Sequence, residues 1–500
     1  MKKICGILIC ILIIANTLVI GGAAPVREIQ NPFASGVLGS EKMRIPSLLT
    51  LADGRVMAAC DLRWNHGLDS PNNVDTAIAF SPDGYGDWTY TVLNRFDDFA
   101  DGADNTESAS FIDPSLLQDP ETGRIFVICD AYAGGYGYPN SIRDSGVRDG
   151  KPVLSDGTRE YLIERFREDR AAITLDGALT EYSVDREYRL YRNDEALYTQ
   201  QRRSDGSKNG VTIRQSVFYA DSPLRMLGTS YLWLRWSDDG GASWSDPMIL
   251  NDQVKADEAF LGVCPGRGCV TRVDGKTRLV FPLYTNGSGK EQTVVIYSDD
   301  HGESWTRGQE VENAWILGKT SESQIISLPD GTLRMFSRTK NCVPGVCDSS
   351  DGGETWTKSQ PVGDLIGTKN CMFSVLAAQT DGKTVYLCSR GSAMSDRADG
   401  TVFVGKPDEN QKIAWTEGFY LGDGFYAYSC LEQLPDGSIA LLYEDEPYHI
   451  EYRILQLQPD GSLLPADGSD APEARRAPFF ERIRRLWWRI RLCVRGWFVH

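Results

Sequence analysis

Apolar and polar positions along the chain follow one recurring local pattern. A short apolar run is followed by a turn with Asp-Gly or its equivalent, and then by a second apolar run. Glycine supplies the positive φ angle that a tight strand reversal requires, so each copy predicts a β-hairpin. The copies recur at roughly 50 to 70 residues, with a longer gap after the second. Their turns lie at Asp53-Gly54, Gly123, Asp274-Gly275, Asp330-Gly331, Asp381-Gly382 and Asp436-Gly437.

A second pattern, Ser-x-Asp-x-Gly-x-Ser/Thr-Trp, is interleaved with the first. It occurs at 237–244, 298–305 and 349–356, with a degraded version at 81–88. We expect a self-contained turn in which the Asp accepts hydrogen bonds from nearby backbone N–H groups and glycine makes the reversal. The closing Trp is expected to pack between neighbouring sheets. This repeat bears on the fold and by itself indicates no chemistry.

Six repeated β units with short strands predict an all-β fold, a six-bladed β-propeller. A sandwich or a β-helix does not account for a repeat of this length. We expect the propeller to occupy residues 30–133 and 228–458. The long gap at 134–227 contains short apolar and aromatic stretches, which predict a small inserted β-rich subdomain.

The N-terminus is typical of an export signal. Lys2 and Lys3 precede an apolar run from Ile4 to Ile20, and small residues then lead to Pro25. We expect a signal peptide at 1–23, with an uncleaved N-terminal anchor as the alternative. Either interpretation predicts an exported protein, secreted or associated with the cell surface.

The C-terminus is strongly basic and amphipathic. Residues 474–500 contain eight arginines and one Glu, and residues 459–473 resemble a linker. A helix here would be basic and rich in Trp, which predicts contact with a membrane surface. A helix docked on its own acidic body is the alternative. At about 100° per residue, one helical face carries Phe479, Phe480, Ile483, Leu486, Trp487, Ile490, Val494, Trp497 and Phe498.

Composition excludes several classes of function. The net charge is −17, which argues against nucleic acid as a partner. There are four histidines, none in helical ligand spacing, and no CxxC motif, so we expect neither a metal nor a cofactor. The close pairs Cys264/Cys269 and Cys342/Cys347 predict either disulfides or small buried apolar residues, and the sequence leaves both open.

Catalytic groups of a propeller are expected to be scattered along the chain, one loop at a time. Arg44-Ile45-Pro46 precedes the first hairpin, and together with the Asp-containing repeats it resembles the sialidases, or neuraminidases. The similarity is to bacterial secreted exo-sialidases with an inserted domain, and it covers about residues 35–455. The segment 260–268 also resembles family sequence at the pocket rim, although Cys264 departs from it.

The resemblance implies a triad of arginines, Arg44, Arg338 and Arg397, that binds the carboxylate of a sialic acid. Planar guanidinium groups suit this task, because they bind a carboxylate in a bidentate manner and stay charged. The resemblance also implies that Glu444 holds Arg44. It places Asp113 opposite the ring substituents of the substrate, with a turn cap before Pro114 as the alternative.

The resemblance also assigns the groups that carry the reaction. Asp69 matches the acid/base residue. From their positions just before it, Arg63 and Asp61 are expected to shape its loop; Arg63 is also a candidate substrate-binding residue, and His66 is a weaker rival for proton transfer. Tyr428 matches the nucleophile and Glu322 its base. A neutral Tyr approaches the anionic substrate without the repulsion that a carboxylate would meet. Tyr426 lies on the same side of an extended strand and remains a rival.

These residues together imply a retaining exo-α-sialidase that acts on sialylated glycans, glycoproteins and gangliosides. A tyrosyl-bound sugar protected from water would instead yield an anhydro or 2,3-didehydro product, and the sequence does not separate these outcomes. A third interpretation is a sialoglycan-binding propeller without catalysis, which predicts a broken Tyr428, Glu322 and Asp69 set. All three residues are present.

Overall fold

The hairpin pattern is the basis of the architecture. The computed structural model describes residues 28–469 and 479–496, apart from Asn65, Asp101, Asp104, Asn105 and Ser395. Each of the six turn glycines lies between two antiparallel strands and has a positive φ, for example +88° at both Gly54 and Gly437. The expected signal segment 1–23 lies outside the described residues.

Four separate sheets make up the second half of the described chain. The first has five strands, and each of the other three is an antiparallel meander of four. Their strands are Leu261–Val263, Cys269–Val273, Lys276–Thr285, Gln292–Ser298 and Thr306–Arg307; Thr320–Ser327, Leu333–Thr339, Gly345–Ser349 and Gln360–Pro361; Ser374–Thr380, Lys383–Gly391, Ala398–Pro407 and Ile413–Phe425; and Ser429–Gln433, Ile439–Glu446, His449–Leu457 and Leu463–Pro465.

The first half differs from a set of equal blades, because two meanders share one nine-stranded sheet. A parallel pairing of Val74 with Ser110 joins them. Gly266–Arg267 adds a further parallel strand at Ser115. The remaining strands of this sheet are Met43–Thr50, Val56–Arg63, Val74–Ser81, Thr89–Asn94, Ser110–Gln118, Ile125–Tyr132, Tyr231–Ser237 and Met248–Ile249.

Apolar clusters between successive meanders hold them in a ring, which is a β-propeller arrangement. Met57 and Ile78 pack against Leu116, for example, and a separate cluster lies at each later junction. The last cluster joins residues of the first meander to Cys430 and Leu442 of the last. The ring is therefore closed by side-chain burial between its first and last meanders.

The Asp-containing turns form as expected. In the second copy, Asp300 Oδ1 accepts hydrogen bonds from the Ser304 backbone N–H at 2.9 Å and from Ser298 Oγ at 2.8 Å. Trp305 is 3% exposed and packs between Phe126 and Phe281, which belong to adjacent meanders. The repeat therefore acts both as a turn and as a packing element between sheets.

The segment between Tyr132 and Tyr231 forms sheets of its own beside the propeller. A core that includes Phe218 and Tyr188 packs against Phe111 and Trp233 of the second meander. A 3-10 helix, Tyr138–Asn140, opens the segment. Its strands are Val147–Arg148, Lys151–Ser155, Glu160–Ile163, Arg170–Leu175, Ala178–Asp185, Leu190–Arg192, Glu195–Ala196 and Arg225–Met226 in one sheet, and Tyr198–Arg202 with Lys208–Arg214 in another.

The prediction that residues 459–473 form a linker is wrong in part. Leu463–Pro465 pairs with Leu455–Leu457 as the fourth strand of the last meander, so the propeller extends past residue 458. Leu463 is 4% exposed in the apolar cluster there, which explains why this short stretch stays on the sheet. An α-helix then covers Phe479–Gly496, and a one-turn helix covers Asn251–Val254.

Two further findings bear on the sequence expectations. The described cysteines, including Cys264, Cys269, Cys342 and Cys347, are free thiols, and only Cys269 of these four is not buried. This arrangement agrees with the second interpretation of the cysteine pairs. Among the described helices, none combines the length and the apolar character needed to cross a membrane.

The Asp300 turn leads to a stability prediction. Asp300→Ala removes the acceptor for three hydrogen bonds and should lower the free energy of unfolding by about 1 to 2 kcal/mol. Urea denaturation measures this change. Glu409→Ala, at an exposed turn, is the matched control and should change stability by less than about 0.5 kcal/mol. Equal effects of the two substitutions would contradict the structural role of the turn.

Candidate active site

One cavity of about 310 Å³ lies where several meanders meet. Its polar and aromatic walls come from residues far apart along the chain, as expected for a propeller. The lining residues are Arg44, Ile45, Asp69, Ser70, Ile112, Asp113, Tyr132, Tyr138, Pro139, Phe260, Tyr284, Glu291, Ser321, Glu322, Arg338, Lys340, Asn370, Arg397 and Tyr428. Seven of the nine site residues expected from the sequence are in this set. The other two, Arg63 and Glu444, contact members of the set from behind.

Irregular strand pairing occurs at three of these residues, Arg44, Asp113 and Glu322. The strand pairing shifts between Arg44 and Ser47, again around Asp113, and again between Thr320 and Ser323. Ile45 and Asp113 have φ angles of +62° and +65°, which are unusual for residues with a side chain. Such bulges redirect side chains at the end of a strand, and here they do so at the cavity.

Arg44 is held by a buried carboxylate from the opposite end of the chain. Its Nε and Nη2 donate to the two Glu444 oxygens at 3.0 and 3.3 Å, and the Ile45 backbone N–H donates to Glu444 Oε1 at 3.1 Å. Glu444 is 1% exposed. This paired contact fixes the plane of the guanidinium group and leaves Nη1 directed toward Asp69 at 3.2 Å.

Arg338, Glu322 and Tyr428 form a compact hydrogen-bonded group. The Tyr428 hydroxyl donates to Glu322 Oε1 at 2.6 Å, and Arg338 Nη1 contacts Glu322 Oε2. The same Nη1 lies 2.8 Å from the Tyr428 oxygen, and Nη2 donates to Asn370 Oδ1 at 3.1 Å. A carboxylate therefore accepts the phenol proton's hydrogen bond, and a guanidinium group lies at the phenol oxygen.

Arg397 differs from the other two arginines. It donates to the Asn370 backbone carbonyl at 3.2 Å, and it has no carboxylate partner within the part of the chain that the structure describes. The guanidinium carbons of Arg44, Arg397 and Arg338 lie 5.2, 5.4 and 6.0 Å from the centre of the Tyr428 ring. Three positive charges thus surround one phenol, and among the described residues one of them, Arg397, has no carboxylate partner.

Tyr428, rather than its rival Tyr426, faces the cavity. Tyr426 is 1% exposed and its hydroxyl contacts Ser389 inside the sheet. Burial raises the pKa of Tyr428 well above the ordinary value, a shift that the three arginines oppose and Glu322 reinforces. The phenol is therefore neutral at physiological pH, with its proton directed at Glu322.

Asp69 projects from its loop into the cavity mouth and is 67% exposed. Arg63 Nη1 holds it at 2.8 Å, while the other end of this fully buried guanidinium donates to Asp61 Oδ2 at 2.7 Å. Desolvation raises the pKa of Asp69, but the charges of Arg63 and Arg44 outweigh it, so the pKa is lowered overall. Without a bound anion this carboxyl group is ionised.

Asp113 lies in a strand instead of capping a turn. Its backbone N–H donates to Asp61 Oδ1 at 3.0 Å. Burial raises the pKa of Asp113 well above the ordinary value, and the negative charges of Asp61 and Asp130 add to this shift. The site therefore offers a carboxyl group that is readily protonated next to one, Asp69, that is not.

Most of the aromatic wall of the cavity was not predicted from sequence patterns. Tyr132, Tyr284 and Phe260 form its apolar part, and Tyr138 donates to Glu291 at 2.8 Å at the rim. Phe260 lies in the segment predicted as pocket rim, but the tyrosines belong to no motif. The 3-10 helix that opens the inserted region supplies Tyr138, so this region contributes to the site.

This chain is similar to known proteins in both sequence and structure. The family model "BNR repeat-like domain" matches residues 201–441. The anhydrosialidase of Macrobdella decora is 35% identical, over 82% of this chain and 59% of that protein. Sialidase B of Streptococcus pneumoniae is 29% identical, over 80% of this chain and 61% of that protein. The crystal structure of the intramolecular trans-sialidase from Ruminococcus gnavus superposes with a TM-score of 0.76 at 31% identity, covering 86% of this chain and 98% of that one. This chain belongs to the sialidase family.

Membership of the sialidase family, a family of glycoside hydrolases, agrees with the resemblance seen in the sequence. The chain spans about three-fifths of the length of the two curated relatives named above. The shared part includes the propeller-like arrangement and the BNR repeats. The particular roles of the cavity residues in this sialidase-family chain stay predictions.

The unequal pairing of the arginines predicts unequal effects of their replacement on stability. Arg44→Gln leaves the buried Glu444 carboxylate without its cation and should lower the free energy of unfolding by about 3 kcal/mol. Arg397→Gln removes a guanidinium group that has no carboxylate partner among the described residues, so it should change stability by less than about 1 kcal/mol. Urea denaturation of both variants measures the difference. Equal destabilisation would contradict the proposed charge balance.

Proposed function

We propose that this sialidase-family chain cleaves a terminal α-linked sialic acid from glycans, with retention of configuration. The observation that carries the proposal is the 2.6 Å hydrogen bond from the Tyr428 hydroxyl to Glu322, surrounded by three arginines. Glycans on glycoproteins and on gangliosides both present this sugar. The chemistry requires an acid, a nucleophile and carboxylate-binding cations, and the cavity has a candidate for each.

The arginines account for selection of the substrate. A sialic acid has a carboxylate on its anomeric carbon, and this anion would pair with Arg397, for which the described part of the chain offers no carboxylate. Arg44 and Arg338 are already oriented by Glu444 and Glu322, so binding costs little rearrangement. The carboxylate then lies close to the phenol oxygen, with the anomeric carbon beside it.

The proposed reaction consists of two displacements at the anomeric carbon. The Tyr428 oxygen bonds to the anomeric carbon as its proton passes to Glu322, and the glycosidic oxygen leaves with a proton from Asp69. A water that Asp69 deprotonates then attacks the same carbon, and Tyr428 leaves and takes its proton back from Glu322. The two displacements together retain the configuration.

The proposed first step needs a protonated Asp69, although the pKa of this carboxyl group is lowered in the free protein. Before binding, the charges of Arg63 and Arg44 keep the carboxyl group ionised. The substrate carboxylate would neutralise part of that positive charge, so it would raise the pKa of Asp69 and favour its protonation. Substrate binding would thereby help to supply the acid that the first step needs.

We also propose six blades for the propeller. The nine-stranded sheet contains two meanders joined by the pairing of Val74 with Ser110, and counting them separately gives six with the four other sheets. The six hairpins and the ring of apolar clusters support this count. The inserted β-rich subdomain would then interrupt the second blade between Tyr132 and Tyr231.

The proposed location is outside the cytoplasm, at the cell surface or beyond it. Its support is the sequence of residues 1–23, with paired lysines, an apolar run and small residues before Pro25. Sialylated glycans occur on secreted and surface molecules, so an exported enzyme would meet its substrate there.

Replacement of the phenol tests the proposed reaction. Tyr428→Phe should reduce turnover of a fluorogenic aryl sialoside by about a thousandfold or more, because no other nucleophile is in its place. Tyr426→Phe is the matched control, and turnover should stay within a few-fold of the unmodified protein because that ring lies inside the sheet. Near-normal turnover in Tyr428→Phe, or no activity in the unmodified protein, would refute the proposal.

A second outcome of the same intermediate has specific support. Two of the proteins to which this chain is similar are named an anhydrosialidase and an intramolecular trans-sialidase. The aromatic wall of Tyr132, Tyr138, Phe260 and Tyr284 would restrict water beside the tyrosyl-bound sugar. A hydroxyl of the sugar itself would then attack the anomeric carbon and give an anhydro product.

Product identification separates the two candidates. Sialosides linked α2,3, α2,6 and α2,8 are incubated with the protein, and the released sugar is identified by NMR and mass spectrometry. Hydrolysis yields free sialic acid, whereas intramolecular transfer yields a sugar lighter by one water. If water is excluded by the aromatic wall, Tyr138→Ala should raise the share of free sialic acid several-fold. An unchanged product ratio would contradict that role for the wall.

A further inference from the structure

The C-terminal helix, Phe479–Gly496, is attached to the propeller by one side. Trp488 and Leu492 pack against an apolar cluster that includes Leu317 and Ile366. On the same side, Arg485 pairs with Glu417 at 3.2 Å and donates to the Ser392 carbonyl oxygen at 2.8 Å. These contacts set the rotation of the helix about its own axis.

The opposite side of the helix presents apolar residues to solvent. The exposed fraction is 47% for Ile483, 58% for Leu486, 54% for Trp487 and 52% for Ile490. At 100° per residue they share one face, and Trp488 and Leu492 lie on the other. Large apolar side chains that are exposed together in this way mark an interaction site. We call these four residues the outer stripe.

Arginines border the outer stripe along both edges. The same helical geometry places Arg482 and Arg489 along one edge and Arg484 and Arg491 along the other. Arg482, Arg484 and Arg489 are exposed. The whole chain has a net charge of −17, so this basic surface stands out against an acidic body.

The helix is attached close to the cavity along the chain segments that hold it. Three segments, 340–343, 366–370 and 392–397, contribute both to the cavity and to the surface that holds the helix. Their cavity-lining residues are Lys340, Asn370 and Arg397, and their helix-contacting residues are Cys342, Val343, Ile366, Ser392 and Met394. A surface bound by the outer stripe would therefore lie close to the active site.

We propose that the outer stripe and its bordering arginines bind the surface of an anionic lipid bilayer. A bilayer is apolar below and negative at its head groups, which complements an apolar stripe with cations on both edges. A second copy of the chain fits less well, because two such basic helices repel each other. The helix would hold the cavity mouth near membrane-borne sialoglycans, and only this last point depends on the proposed function.

Vesicle co-sedimentation of the full chain tests the binding. The protein should sediment with phosphatidylcholine vesicles that contain phosphatidylserine, less with phosphatidylcholine alone, and be released by high salt. A variant that combines Arg482→Gln, Arg484→Gln and Arg489→Gln should have a partition coefficient onto the anionic vesicles that is lower by about tenfold or more. Trp487→Gln/Ile490→Gln should lower binding to both kinds of vesicle. Equal sedimentation of these variants and the unmodified protein would overturn the proposal.

A charge-matched control separates the contribution of the helix to vesicle binding from that of the net charge of the protein. Arg165→Gln/Arg167→Gln/Arg203→Gln removes three exposed arginines from the inserted region and should leave the partition coefficient unchanged. If it lowers binding as much as the helix variant, the helix is not the binding element. Light scattering gives the oligomeric state, and a dimer that Trp487→Gln/Ile490→Gln dissociates, without vesicle binding, would identify a second copy as the occupant instead.

Activity provides an independent readout. The variant with three arginines of the helix replaced by Gln should keep its turnover of a soluble aryl sialoside. Its turnover of a sialylated lipid embedded in anionic vesicles should fall several-fold or more. Equal loss on both substrates would contradict a role in membrane presentation. Sedimentation needs no catalysis, so an inactive protein would refute the proposed function and leave the binding result intact.

Discussion

The site depends on the balance of charge around one neutral phenol. Three guanidinium groups lie within about 6 Å of the Tyr428 ring, and such a cluster is tolerated only where negative partners offset it. Glu444 offsets Arg44 and Glu322 offsets Arg338, each as a buried carboxylate. Arg397 has no such partner among the described residues. In the proposed reaction, the carboxylate of the substrate would complete this balance.

The ring of meanders is what makes this balance possible. Arg44 comes from the first meander and Glu444 from the last, so their paired hydrogen bonds form only when the ring closes. The apolar cluster that joins these meanders supplies the closure from behind. Tyr428 precedes the last meander and reaches across to Glu322 of another sheet. Burial of apolar side chains between the sheets therefore brings together charged groups that are far apart along the chain.

Sequence patterns predicted the regular parts of this structure better than its irregular ones. The six hairpins and the Asp-containing turns follow from glycine and Asp at fixed offsets, which act locally. The parallel pairing at Val74, the strand at Leu463–Pro465 and the bulges beside Arg44 and Glu322 depend on neighbouring sheets, and no local pattern indicates them. The aromatic wall was missed for the same reason. Tyr132 and Tyr284 resemble ordinary core residues until the ring brings them together.

The C-terminal helix shows why two interpretations of one amphipathic pattern need not exclude each other. The apolar face that the periodicity indicates is not the face that holds the helix on the propeller. Trp488 and Leu492 lie on the other side and make the attachment, together with the ion pair of Arg485 with Glu417. The helix can therefore be docked on its own body and still offer an apolar stripe to a partner. Since the segments that hold it also line the cavity, a partner bound at that stripe would lie near the cavity.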